Sequence, residues 1–218
     1  MKGLNVCSVI ILMLSVLLPD FVNAQESEIM TPTIAVRRAG ISNFVAKCIP
    51  GAELTVAYFG ASVTNGAGAS SDDKNWRRLV HAWIEKTWPQ TTFHHQHVVN
   101  GGTGSQLGAC RLQNEVLKFK PALVFVEFSV NDWIADPIAV SKSMEGIIRQ
   151  IRRADPACDV VMLHTLNNCT ADVYKKCEFP PTVAAYEKIA AHYNVPSINL
   201  SWVISWEINS GKMKWEDF

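Results

Sequence analysis

The chain has 218 residues and carries 20 Lys+Arg against 20 Asp+Glu, so its formal charge is zero. That balance offers no basic face to a phosphate backbone and sets nucleic acid aside as a partner. No run of like charges and no low-complexity tract suggests a tail or a linker.

Lys2 gives the N-terminus a positive start, and Val6 to Leu18 is an apolar run broken only by Ser8 and Ser15. Pro19 and Asp20 interrupt it, and Val22-Asn23-Ala24 leaves small residues where a signal peptidase cuts. Residues 1–24 therefore read as a secretory signal, with a retained membrane anchor as the alternative. The expected location is secreted or periplasmic, with no stable membrane anchor. Residues 25–53 form a lead-in, and 54–218 read as one domain with room for a substantial core.

The first clear element is Leu54 to Phe59, a short apolar run ended by Gly60, which predicts a buried parallel strand. Trp76, Leu79, Val80, Trp83 and Ile84 have helical spacing within Asn75 to Trp88, closed by Pro89. A second strand ends in Val98-Val99, and a helix is expected over Gln106 to Phe119. Ala122 to Phe128 is the clearest strand. Ile138 to Ala154 reads as an amphipathic helix, Asp159 to Leu163 as a strand, Thr182 to Tyr193 as a helix and Val195 to Leu200 as a last strand. This alternation predicts an α/β fold, a three-layer α/β/α sandwich with a central parallel sheet, because each parallel crossover needs a covering helix. Such sheets bind ligands at the carboxyl ends of their strands, above all where strand order reverses.

With Cys7 in the signal, Cys48, Cys110, Cys158, Cys169 and Cys177 remain. Cys169 and Cys177 lie close together in a polar loop and are the expected disulfide pair. The alternative is that all five are free thiols or small buried hydrophobes. His94, His95 and His97 fall on a strand whose alternate residues face opposite ways, so they do not converge on a metal by themselves. His81 and His192 read as surface or packing residues. Asn168-Cys169-Thr170 and Asn199-Leu200-Ser201 match the N-glycosylation acceptor pattern.

Three polar, glycine-rich segments follow successive strands: Gly60 to Gly68, Asn100 to Gly104, and Ser129 to Asp132. In the first, Ser62 stands just past a strand, where the turn's N–H groups could face an oxyanion. A helix-capping serine is the plainer reading. Glycines in the second allow a backbone N–H to approach a ligand, or simply make a turn. Asn131 in the third could donate a side-chain N–H, or be a turn asparagine. No phosphate-loop lysine and no G-x-S-x-G elbow is present.

Taken together, the three segments resemble the SGNH (GDSL-like) hydrolases. Gly60-Ala61-Ser62-Val63-Thr64 is similar to the family's first block, and Val99-Asn100-Gly101-Gly102-Thr103-Gly104 to the second, supported by Gly108 and Arg111-Leu112. Phe125 to Asp132 is similar to the third. The resemblance implies a flavodoxin-like fold and a serine esterase, with Ser62 as nucleophile and Gly102 and Asn131 as oxyanion donors; Gly104 is the fallback glycine. It implies no metal or organic cofactor, and a small-molecule or carbohydrate ester as substrate, such as a small acyl group on a glycan. An inactive glycan-binding protein of the same fold and a lipid-directed acylhydrolase are the rival readings. Two departures stand out. Ala61 replaces the usual aspartate, and no Asp-x-x-His block occurs, so the resemblance implies a domain truncated before its catalytic histidine. His164 is the substitute base to test, its alternative being a histidine hydrogen-bonded at a strand end. Glu127 and Asp132 read as structural partners, and Trp133 as a core residue rather than part of a cleft.

Overall fold

The alternating apolar segments form a six-stranded sheet in the order β1-β6-β5-β4-β2-β3. The computed structural model describes Leu18 and residues 34–214. Apart from Leu18, the expected signal segment therefore lies outside the described residues. The strands are β1 (Ala35–Val36), β2 (Glu53–Gly60), β3 (Thr92–Val99), β4 (Leu123–Glu127), β5 (Asp159–His164) and β6 (Ser197–Asn199). The helices are α1 (Ser42–Lys47), α2 (Ser62–Asn65), α3 (Trp76–Thr87), α4 (Ser105–Glu115), α5 (Pro137–Ala154), α6 (Ala171–Lys175), α7 (Pro181–His192) and α8 (Leu200–Asn209). Strands β2 to β6 are parallel, and β1 alone runs antiparallel, against β6.

Strand pleating splits the core by residue parity. Val56, Tyr58, Leu123, Phe125, Val161, Leu163 and Ile198 face one layer, where Phe44 of α1, Trp76, Val80 and Ile84 of α3, and Leu200 and Ile204 of α8 cover them. Ala57, Phe59, Val124, Val126, Val160 and Met162 face the other, under Leu112 of α4, Met144, Ile147 and Ile151 of α5, and Tyr186 and Ala190 of α7. This is the three-layer sandwich, and both faces of each central strand are apolar because both are covered. Parallel order reverses at β2, which has β3 on one side and β4 on the other.

Several boundaries differ from expectation for local reasons. α4 stops at Glu115, and a single 3₁₀ turn, Leu117–Phe119, ended by Lys120 in the left-handed conformation (φ 48°), replaces its expected last turn. The last strand is only Ser197–Asn199, because the Asn199 side chain accepts the Trp202 N–H and starts α8 at Leu200. That capping asparagine is 3% exposed, so the second glycosylation sequence is not open to a transferase in the fold. The five cysteines are free. The path from Cys169 to Cys177 runs through a 3₁₀ turn and α6. At a helical rise that separates them by about 12 Å, well beyond disulfide reach. Among the described residues, no helix is long and apolar enough to cross a membrane.

Candidate active site

Gly60 sits between Val99 of β3 and Glu127 of β4 in the sheet register. The chains leaving these three positions carry Ser62, the Asn100–Gly104 loop and Asn131. All three therefore emerge at the carboxyl edge of adjacent strands, at the switch point. A Cβ on Gly60 would collide with Thr64 Oγ1 and come within 2.6 Å of the Glu127 carbonyl oxygen. The missing side chain lets α2 fold straight back over the sheet. Ser62 is the first residue of that short helix and is half-buried, whereas Ala61 before it is fully buried.

Buried polar groups hold the turn from below. Thr64 Oγ1 donates to Glu127 Oε2 at 3.0 Å, and Thr165 Oγ1 donates to Glu127 Oε1 at 2.8 Å. Burial pushes the Glu127 carboxyl above its ordinary range, against the hydrogen bonds from Thr165 and Thr64. On the other side the Thr64 carbonyl accepts from Arg77 Nε at 3.0 Å. Glu127 thus supports the turn that carries Ser62 without facing solvent.

The glycine loop approaches Ser62 closely at Gly101, where an added Cβ would stand 3.9 Å from Ser62 Cβ. Gly102 follows in the left-handed region, φ +73°, with nothing within 4 Å of its missing side chain. Gly104 plays another part. A Cβ there would collide with Asp132 Oδ1, and the Asp132 carboxylate accepts the Ser105 N–H at 3.1 and 3.2 Å. Tyr186 O–H donates to the same carboxylate. Burial and the neighbouring Asp132 raise the Tyr186 phenol well above its ordinary value. Asp132 is 4% exposed and anchors the start of α4, leaving its neighbour Asn131 half-buried at the edge. Asn131 Oδ1 is buried and has no hydrogen-bond partner among the described residues.

His164 does not join this group. It is fully buried, its Nε2 lies 2.7 Å from Glu187 Oε1, and its ring stacks on Tyr186. Glu187 also accepts from Arg38 at 2.6 Å. Burial pushes its carboxyl up, but His164 and Arg38 outweigh that and hold it down at about 2. Among the described residues no histidine hydrogen-bonds Ser62. Trp133 is 39% exposed and Ile134 75%, so the expected core role for Trp133 gives way to a surface ledge two residues from Asn131. The Asp136 cap and Pro137 start α5 immediately afterwards, which keeps this segment at the edge of the sheet.

The model of the GDSL-like lipase/acylhydrolase family matches residues 58–217, more than half of the chain. The chain belongs to that family. Among solved structures, this GDSL-like chain is similar to a two-domain esterase active on acetylated mannans, at 26% identity and a TM-score of 0.70, covering 80% of this chain and 44% of that one. The chain thus spans under half the length of that esterase. An acetyl-xylooligosaccharide esterase from Geobacillus, crystallised as a mutant, shares the fold at 12% identity and a TM-score of 0.60, over 75% of this chain and 83% of its own. The SGNH-hydrolase family esterase AlinE4 does so at 16% identity and a TM-score of 0.55, over 73% and 81%. No curated protein sequence matches the chain.

Two features of this GDSL-like domain escaped the sequence reading. Arg77, 6% exposed, ties α3 to the Thr64 carbonyl and to Asp72. An arginine on an amphipathic helix gives no sign of that tie in sequence. His81 and Glu85 of α3 meet His95 of β3. The i, i+4 pair was visible, but its partner strand was not.

Proposed function

We propose that this domain is a serine ester hydrolase in which Ser62 attacks the carbonyl of a small acyl ester, such as an acetyl group on a carbohydrate. The carrying observation is the convergence of Ser62, the Gly101–Gly102 turn and Asn131 at the switch point. Attack forms the Ser62 Oγ–acyl bond and places negative charge on the carbonyl oxygen; collapse breaks the ester C–O bond, the departing alcohol takes up the proton that Ser62 gives up, and water then releases the acid and restores Ser62. In this reading the Ser62 and Gly102 N–H groups and the Asn131 side-chain N–H receive that charge, a contribution that exists only once the oxyanion forms. The Asn131 amide oxygen has no hydrogen-bond partner among the described residues, so no such bond there competes for the orientation of the group. Asp132 and Glu127 act as positioning residues beneath the two loops.

The likeness to a mannan-active esterase supports the carbohydrate assignment, and the exposed Trp133 ring gives a sugar face an amphipathic surface to lie on. Export by residues 1–24 would bring the domain to such a substrate outside the cytoplasm. The Ile134 and Ile138 side chains, 75% and 65% exposed, favour a second reading in which a longer acyl chain lies on the same ledge.

Mass spectrometry tests the nucleophile without needing turnover. On prolonged treatment with p-nitrophenyl acetate, whose activated ester needs no acid to expel its phenolate, Ser62 should slowly take up one acetyl group, and the adduct should persist because among the described residues no histidine stands by Ser62 to activate the deacylating water. Ser62→Ala should abolish that adduct. Equal acetylation of scattered lysines with none at Ser62 would end the esterase reading. A preference for octanoyl over acetyl esters would select the long-chain alternative.

A further inference from the structure

On the face of the sheet remote from α4, α3 crosses above β3 and brings three potential ligands together. His81 and Glu85 are one helical turn apart on α3 and so share a face. His95 reaches them from β3, and one ligand atom from each of the three lies within 4.8 Å of the others. His81 Nε2 is 3.0 Å from Glu85 Oε1, and His95 Nε2 is 3.8 Å from the same oxygen. Tetrahedral zinc with bonds near 2.0–2.1 Å sets its ligand atoms about 3.3 Å apart, which these separations bracket.

A surface ion pair between His81 and Glu85 accounts for two of the three residues, but not for His95. The His95 side chain is 5% exposed, and its Nε2 is buried without a hydrogen-bond partner while aimed at the other two groups. An unpaired buried nitrogen is costly, and a cation there would satisfy it. The other ring nitrogen is already oriented, since His95 Nδ1 lies 3.1 Å from the Tyr58 hydroxyl. When Nε2 binds a metal, Nδ1–H can donate to that phenol oxygen, the outer contact that fixes a metal-bound imidazole. The nearby Arg77 and Arg78 cations are both paired with Asp72, at 3.0 and 3.1 Å.

We propose that His81, Glu85 and His95 form a binding site for a divalent transition-metal cation of the zinc class. The site staples α3 to the edge strand β3, with water completing the coordination. The two imidazole rings stack with centroids 3.3 Å apart and 24° between their planes, so their in-plane lone pairs do not yet converge. Metal binding requires the ring of His81, the more exposed of the two, to turn out of the stack towards Glu85 and His95 Nε2. Two imidazoles and one carboxylate suit zinc better than calcium or magnesium, which take oxygen ligands.

Zinc sulfate titrated calorimetrically into the full chain tests the site, after alkylation of the exposed Cys110, Cys169 and Cys177 to remove competing thiols. One equivalent should bind, and zinc should raise Tm. His81→Gln and Glu85→Gln, both at solvent-accessible positions, should each weaken binding at least tenfold and abolish the Tm rise. Cobalt in place of zinc should give the intense visible bands of a four-coordinate ion, again lost in His81→Gln. Failure of the alkylated protein to bind zinc stoichiometrically, or equal binding by His81→Gln, would overturn the proposal. None of these readouts depends on Ser62 or on ester hydrolysis.

Discussion

Replacing Gly104 with alanine drives a methyl group into the Asp132 carboxylate, whose Cγ lies 3.3 Å from the new carbon. Asp132 is 4% exposed and has no open side to retreat to. Its oxygens accept from Ser105 N–H and Tyr186 O–H, and hydrogen bonds to a charged group are worth about 1.5–3 kcal/mol each. Losing one and weakening the other gives an expected destabilisation of about 2–4 kcal/mol. Gly102→Ala is the comparison, because its methyl meets nothing and its cost is the left-handed backbone alone, about 1–2 kcal/mol. Urea unfolding followed by tryptophan fluorescence reads both as shifts in midpoint at constant slope. Tyr186→Phe completes a cycle with Gly104→Ala, and a coupling of about 1 kcal/mol or more is expected because both act through one carboxylate. If Gly104→Ala is no more destabilising than Gly102→Ala and adds independently to Tyr186→Phe, the anchoring role of Asp132 is wrong.

Asn131→Ala should slow acetylation of Ser62 by roughly a hundred- to a thousandfold, and an unchanged labelling rate would make Asn131 a turn residue only. Turnover of p-nitrophenyl acetate should stay far below that of an esterase with its histidine in place, with at most a residual advantage of about 10³–10⁴ over water; fast turnover would require a base not seen at Ser62. His164→Gln should destabilise the fold by about 1.5–3 kcal/mol, because Glu187 loses its His164 hydrogen bond but keeps the Arg38 ion pair, while Ser62 labelling stays within twofold; loss of labelling would make His164 the base. The Glu187 carboxyl, held at about 2 against an ordinary 4.5, stabilises the fold above pH 4.5 and loses that contribution as pH falls towards 2. Glu187→Gln should therefore flatten the acid decline of Tm in that window, and an identical decline in the variant would remove Glu187 as its source.

The sheet was legible wherever both faces of a strand are buried, since Leu123 to Glu127 can hardly be read otherwise. The convergence of Ser62, the Asn100–Gly104 loop and Asn131 was legible because parallel strands deliver their following loops to one edge. What sequence could not supply were contacts made across the chain. Gly104 and Gly102 look alike in sequence, yet one makes room for Asp132 and the other takes a positive φ. Trp133 looked like core because it is aromatic and follows a buried strand; the early start of α5 leaves it outside. The two-residue β1 is too short for any periodicity, and its pairing with β6 depends on the far end of the chain. His95 looked isolated because its partners come from a helix that precedes it.

Arg111 gives the site a division of labour. From α4, its guanidinium donates to the Gly60 carbonyl at 3.0 Å and lies 4.6 Å from the centre of the Phe59 ring. The helix that begins at the glycine loop is thereby riveted to the strand that delivers Ser62. Ser62 and the glycine loop thus share a single chassis that tolerates little sequence drift. The Trp133–Ile134 ledge stands outside it, with side chains that few internal contacts constrain. Changes of substrate preference should therefore accumulate on that ledge at almost no cost in stability, and directed evolution of the domain is best aimed there.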